Sequence, residues 1–185
     1  MESLAPITEP VDPVSGLRRI AFLLERSRAG SYRVEAFRKA AAIVRGLDPQ
    51  EVLDRAEAGT LQEIHGLGSS TAGVISDCAR GELPAYLVSL QAKVSGPLAQ
   101  GGEDLYAALA GDCHLHSDWS DGGSPIDEMV LTAAELGQRW MVLTDHSPSL
   151  RVANGLSAER LSRQIALVEA MDASLGGSIR VFTGI

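Results

Sequence analysis

Cysteine is scarce in this chain: Cys78 and Cys113 are the only two in 185 residues. That is too few for a disulfide framework, so both read as unpaired thiols of a reducing compartment. No run of 18 or more apolar residues occurs, which argues against a membrane-spanning helix. Met1 to Asp12 is acidic and proline-containing rather than basic and then apolar, which argues against a signal peptide and makes the cytoplasm the expected compartment. Aromatic residues are few, at 4%, but 45% hydrophobic against 22% charged residues is the balance of a folded chain with one or two small cores, not of a disordered tail.

The net charge of -8 is unevenly placed. Between Leu17 and Arg45 there are eight basic residues against Glu25 and Glu35, whereas from residue 101 onward five basic residues face twelve acidic ones. The first stretch suits a polyanion and the second suits cations.

The first hundred residues read as short helices. Asp12-Pro13 and Asp48-Pro49 each put an N-cap acceptor before a proline at the first helical position, and Glu51 completes a capping-box pattern with Asp48. Helices are expected near 13–29, 32–46 and 49–57. In the first, Leu17, Ile20, Phe22, Leu23 and Leu24 form the apolar face, and the arginines are expected in solvent. Thr60 to Glu63 is a further capping-box pattern, followed by Gly66-Leu67-Gly68, a helix from about Ser69 to Arg80, and a short helix from Pro84. Gln91 to Gly102, with Gly96, Pro97, Gly101 and Gly102, is the expected linker.

After residue 111 strands alternate with helices. Strands are expected at Asp112–Ser117, Trp140–Thr144 and Ile179–Ile185. One helix is opened by Ser124-Pro125 as N-cap and N1 and ends about Leu136, and a second runs from Ser157 to about Leu175. This pattern implies parallel strands in an α/β architecture. Three strands leave a sheet edge and cannot close a barrel, so the sequence reads as part of a longer one.

His114 and His116 lie at i and i+2 on the first of these strands, so both imidazoles are expected on one face. Asp121 follows in the next loop, and His146 sits at the same end of the next strand. Three of the chain's four histidines are therefore gathered where an α/β barrel builds its active site, and a metal site is expected there. Imidazole plus carboxylate suits zinc, manganese or iron. Asp145 is expected to point away from His146 as a supporting group. Arg151 and Asn154, in the following loop, are expected either to meet a substrate phosphate or to hold the loop.

The segments DCHLHSDWSDGG, MVLTDHSPSLRVANGLS and VFTGI resemble the opening motifs of the polymerase and histidinol phosphatase (PHP) family, in the version attached to bacterial family X DNA polymerases. The resemblance covers residues 112–185. It implies a distorted (β/α)7 barrel that hydrolyses phosphoesters with up to three divalent metal ions. By resemblance His114, His116, Asp121 and His146 are metal ligands, and a bridging glutamate and further ligands would follow Ile185.

Leu61 to Ile75 resembles a helix-hairpin-helix, in which Gly66 and Gly68 let backbone N–H groups at Ser69 and Ser70 approach a DNA phosphate. A plain αα turn is the structural alternative. With YRVEAFRKAAAIV upstream, residues 17–90 are similar to the N-terminal DNA-binding domain of polymerase beta and other family X enzymes. That resemblance implies DNA contact by Lys39, with Arg38 beside it. The position of the lyase lysine in that family is Val74 here, so DNA contact without lyase chemistry is expected.

The expected organisation is an all-helical helix-hairpin-helix domain at 13–92, a linker at 93–110, and the first part of a PHP domain at 111–185. No polymerase palm fits between them. The expected function is metal-dependent hydrolysis of phosphoesters in DNA, as a nuclease or end-processing enzyme of repair. The alternatives are a small-molecule phosphatase of the histidinol-phosphate type and a non-catalytic DNA-binding accessory protein, with the amidohydrolase superfamily as a weaker alternative for the fold.

Overall fold

A computed structural model describes residues 6–94 and 101–184. Gly96 and Pro97 of the expected linker, and Ile185 at the end of the expected third strand, lie outside the described residues. The described residues divide into two compact units, 6–94 and 101–184.

The N-terminal unit contains α1 (Pro13–Arg26), α2 (Ser31–Arg45), α3 (Pro49–Ala58), a 3-10 turn (Leu61–Glu63), α4 (Ser69–Ala79) and α5 (Ala85–Val94). Asp12 caps α1 by accepting from the Ser15 amide at 3.0 Å, and Asp48 caps α3 by accepting from Gln50 at 2.7 Å. Glu51 does not complete a box with Asp48. Its carboxylate pairs instead with Arg55 at 2.8 Å, one turn along α3. Thr60 likewise makes no side-chain cap, and it leads into a single 3-10 turn rather than an α-helix.

Leu17, Ile20, Leu24, Ile75 and Leu87 are almost wholly buried and form the centre of this unit, where α1 packs on α2, α4 and α5. Phe22 is only partly buried at its margin. Arg19 departs from the solvated face expected of the α1 arginines: it is buried, with its guanidinium 5.7 Å from the centre of the Phe22 ring. Its long aliphatic stem lets it occupy an apolar boundary while the charged head meets a π face.

The second unit begins with α6 (Glu103–Ala108), a helix inside the stretch expected to be linker. Glu103 and Asp104 in its first turn supply the favourable charge that glycine counting overlooks. After it come β1 (Gly111–Leu115), α7 (Ile126–Glu135), β2 (Trp140–Leu143), α8 (Ala158–Ser174) and β3 (Arg180–Thr183). The strands form a parallel sheet in the order β1-β2-β3. Pro125 is the N-cap of α7 rather than its first residue, because its ψ of 158° is still extended. Ser157 caps α8 by accepting from the Arg160 amide at 3.3 Å. Met141, Leu143, Val168 and Ile179 are buried between the sheet and its helices.

Candidate metal centre

The two strand ends that carry the histidines are fastened by Thr144. Its amide donates to the Leu115 carbonyl at 2.7 Å, and its hydroxyl accepts from the Leu115 amide at 3.1 Å. This side chain takes over where the β1–β2 register shifts, between Asp112 and Leu115. Irregularities of this kind re-aim the side chains beyond them. His116 and His146 emerge from these ends with ring centres 4.4 Å apart.

Asp121 meets both. His116 Nδ1 lies 3.3 Å from Asp121 Oδ1, and His146 Nε2 lies 3.4 Å from Oδ2. One donor atom from each of His116, Asp121 and His146 falls within 4.8 Å of the others. His114 is exposed and is not part of this group, although its ring centre is 4.8 Å from that of His116.

The turn from Ser117 to Gly122 brings Asp121 back to the histidines. Ser120 and Gly122 both donate from their amides to the Ser117 carbonyl, at 3.1 and 2.9 Å. Gly122 packs so closely that a Cβ there would sit 2.1 Å from the His116 carbonyl oxygen. Gly155 plays the same part after His146, where a Cβ would sit 1.8 Å from the Ser147 carbonyl oxygen. Arg160 donates to the carbonyls of both Trp119 and Asn154, the latter at 3.0 Å, and so ties the two loops together. Asn154, with a left-handed φ of 54°, donates to the Trp119 carbonyl at 3.4 Å. Of the two roles open to Asn154, these contacts belong to holding the loop; Arg151 is exposed on the 3-10 turn Arg151–Ala153.

The donor set fits a divalent cation. His116 Nδ1 is buried and has no hydrogen-bond partner although a carboxylate oxygen is 3.3 Å away. A cation between the two would account for that pairing. Two imidazole nitrogens and a carboxylate are ligands for zinc, manganese or iron, and the cluster could hold one such ion.

Residues 112–185 match the family model described as "PHP domain". Over this segment the chain is similar to PHP domains. Over 77 residues the chain is 43% identical to the Bacillus subtilis (strain 168) protein named "DNA polymerase/3'-5' exonuclease PolX". That match covers 42% of this chain and only 13% of the relative. No solved structure matches the chain significantly. The PHP segment is thus a parallel sheet with its helices, compatible with part of a PHP fold, and its His116–Asp121–His146 group stands at the strand ends.

In the N-terminal unit, Gly66, Gly68, Ser69 and Ser70 line a cavity of about 500 Å³ together with Arg33, Phe37 and Tyr86. Arg33 donates to the Tyr86 hydroxyl at 2.5 Å. Among the lining residues the cation at this cavity is therefore Arg33, five and six residues before the Arg38 and Lys39 expected from the resemblance. Arg38 pairs with Glu25 at 2.5 Å, and Lys39 stands 3.7 Å from Glu35. The signal for Arg33 was helical spacing: it shares a face with Phe37, four residues on. Val74 is buried, and His65 is exposed. Among the described residues, no helix is long and apolar enough to cross a membrane.

Proposed function

We propose that this protein is a metal-dependent phosphoesterase acting on DNA, with His116, Asp121 and His146 as ligands of a divalent cation and His114 beside them as a further ligand. The observation that carries this reading is the convergence of the His116, Asp121 and His146 donor atoms within 4.8 Å at the ends of β1 and β2. The PHP match over the same residues supports it. A cation held there supplies Lewis acidity toward a phosphoryl oxygen and lowers the pKa of water.

The chain's own residues do the rest. Asp121 presents one oxygen to each histidine, so its carboxylate and both rings face one point. The imidazoles serve as neutral ligands. Arg151, on the exposed loop after His146, would meet a substrate phosphate by charge.

DNA as substrate is supported by the name of the relative and by the N-terminal unit. That unit is proposed to act as a helix-hairpin-helix module. The first amides of α4, at Ser69 and Ser70, lack partners within the helix and with Arg33 would receive a backbone phosphate. Gly66 and Gly68 keep the approach open. Arg38 and Lys39 would contribute to the wider basic surface.

The test is hydrolysis with manganese or zinc of gapped and 3′-recessed DNA, beside histidinol phosphate, with His116→Ala as control. Loss of DNA cleavage in the variant supports the reading. Turnover of histidinol phosphate alone would make the protein a small-molecule phosphatase, and DNA binding without cleavage would make it an accessory factor.

A further inference from the structure

Asp145 is 1% exposed and lies next to His146 in sequence, yet it is not among the three converging groups. A buried carboxylate is costly unless its oxygens are hydrogen-bonded. Here each oxygen accepts twice. Oδ1 accepts from the Ser117 amide at 2.7 Å and from the Ser120 hydroxyl at 2.5 Å. Oδ2 accepts from the Ser117 hydroxyl at 2.5 Å and from Gln164 Nε2 at 2.6 Å.

These donors come from two separate places. Ser117 and Ser120 belong to the turn between His116 and Asp121, and the Ser120 hydroxyl is also 3.3 Å from Asp121 Oδ1. Gln164 is on α8 and is itself 1% exposed. The carboxylate thus joins the end of β2, the Asp121 turn and α8 at one buried point. Among the other bonds, those from the Ser120 and Gly122 amides to the Ser117 carbonyl are internal and set the turn's shape, while Arg160 and Asn154 hold the Trp119 carbonyl at its surface; Asp145 adds the buried tie to β2 and α8.

We propose that Asp145 is a positioning residue: through Ser117, Ser120 and Gln164 it holds Asp121 against His116 and His146, so that the donor atoms are gathered before any cation is bound. This rests on the metal-ligand reading above. Partners that orient ligands in this way lower metal affinity roughly 10- to 100-fold when removed.

The test uses the 185-residue chain, first freed of metal with a chelator. Hydrogen exchange is followed at the Ser120 and Gly122 amides, which bond to the Ser117 carbonyl and do not touch residue 145. Cobalt(II) is then titrated and its visible absorption recorded. Asp145→Ala is expected to lower protection at both amides about 10-fold and to weaken cobalt binding on the order of 10- to 100-fold with an altered spectrum. Asp145→Asn keeps the shape and one acceptor, and Gln164 can turn its amide over to accept from the new NH2, so this variant should recover most of both signals.

Trp119 and Trp140, both in the PHP unit, report whether each variant is folded. Should Asp145→Ala fail to fold, Ser120→Ala removes one bond alone and is expected to weaken cobalt binding with native tryptophan emission. Native protection and native cobalt affinity in a folded Asp145→Ala or Ser120→Ala protein would overturn the proposal. If the unaltered chain bound no cobalt, the metal reading would fall, while the exchange at Ser120 and Gly122 would still decide whether Asp145 holds the turn.

Discussion

Replacing Gly122 by alanine adds one methyl group where no side chain can yield. The new Cβ would lie 2.1 Å from the His116 carbonyl oxygen, 2.5 Å from its carbonyl carbon and 2.7 Å from that of Ser117. All three obstacles are backbone atoms, so relief requires the turn to retreat by about 1 Å from the end of β1. Overpacking of this kind costs about 1–3 kcal/mol. The upper part of that range is expected, because Gly122 also donates to the Ser117 carbonyl at 2.9 Å and the retreat stretches that bond. Asp121 is the adjacent residue and moves with the turn, away from imidazole nitrogens now 3.3 and 3.4 Å from its oxygens. Both tryptophans lie in this unit, so denaturant unfolding followed by their fluorescence reads its stability without interference from the N-terminal helices. Cobalt(II) titration of the same samples reads the ligand geometry. A Gly122→Ala protein within about 0.5 kcal/mol of the parent, with unchanged cobalt affinity, would refute the claim that this close approach sets the site.

Gly155→Ala should behave alike, since its Cβ would meet the Ser147 carbonyl oxygen at 1.8 Å, and the same fluorescence measurement checks it. Burial pushes the Asp12 carboxyl up, but hydrogen bonds from Ser15 and the neighbouring amides outweigh it and hold the pKa below 3.8. A lowered folded pKa contributes stability above the unfolded value, and that contribution is lost as pH falls through the folded one. Asp12→Ala should therefore cost about 1 kcal/mol at pH 7 and converge with the parent in acid, as followed by far-ultraviolet circular dichroism. Burial, with Asp12 and Asp77 adding to it, pushes the Cys78 thiol up to about 11, whereas Cys113 is exposed. A disulfide reagent at pH 8 should titrate one thiol promptly and the second only after unfolding. Arg33→Ala should weaken binding to gapped DNA and reduce the salt slope of the affinity by about one, measured by fluorescence anisotropy across a salt series; an unchanged slope would remove Arg33 from the interface.

Local chemistry made much of this molecule legible before its structure. Asp12-Pro13 and Ser157 announce helix starts because a cap acts over three residues. The parallel sheet follows from strands alternating with helices. His116, Asp121 and His146 stood out by type and spacing, and His114 with them. The finer structure was not legible. Glu51 had two local partners within reach and took Arg55, and the α6 segment gave a helix despite its flanking glycines. The cavity beside Gly66 selects Arg33 because α2 turns that side chain, not Arg38, toward Tyr86.

Sequence alone determined which residues could ligate a cation and most of the helix and strand segments, α6 apart, since both depend on residue type and on neighbours a few positions away. Tertiary structure decided that Asp121 reaches His146, 25 positions later, and which partners Asp145, expected from the sequence to point away from His146, would bind: Ser117, Ser120 and Gln164. Parallel strands place distant residues side by side through a crossover helix. The direction of each side chain at a strand end is then fixed by sterics at Gly122 and Gly155 and by buried hydrogen bonds, neither of which has a local signature.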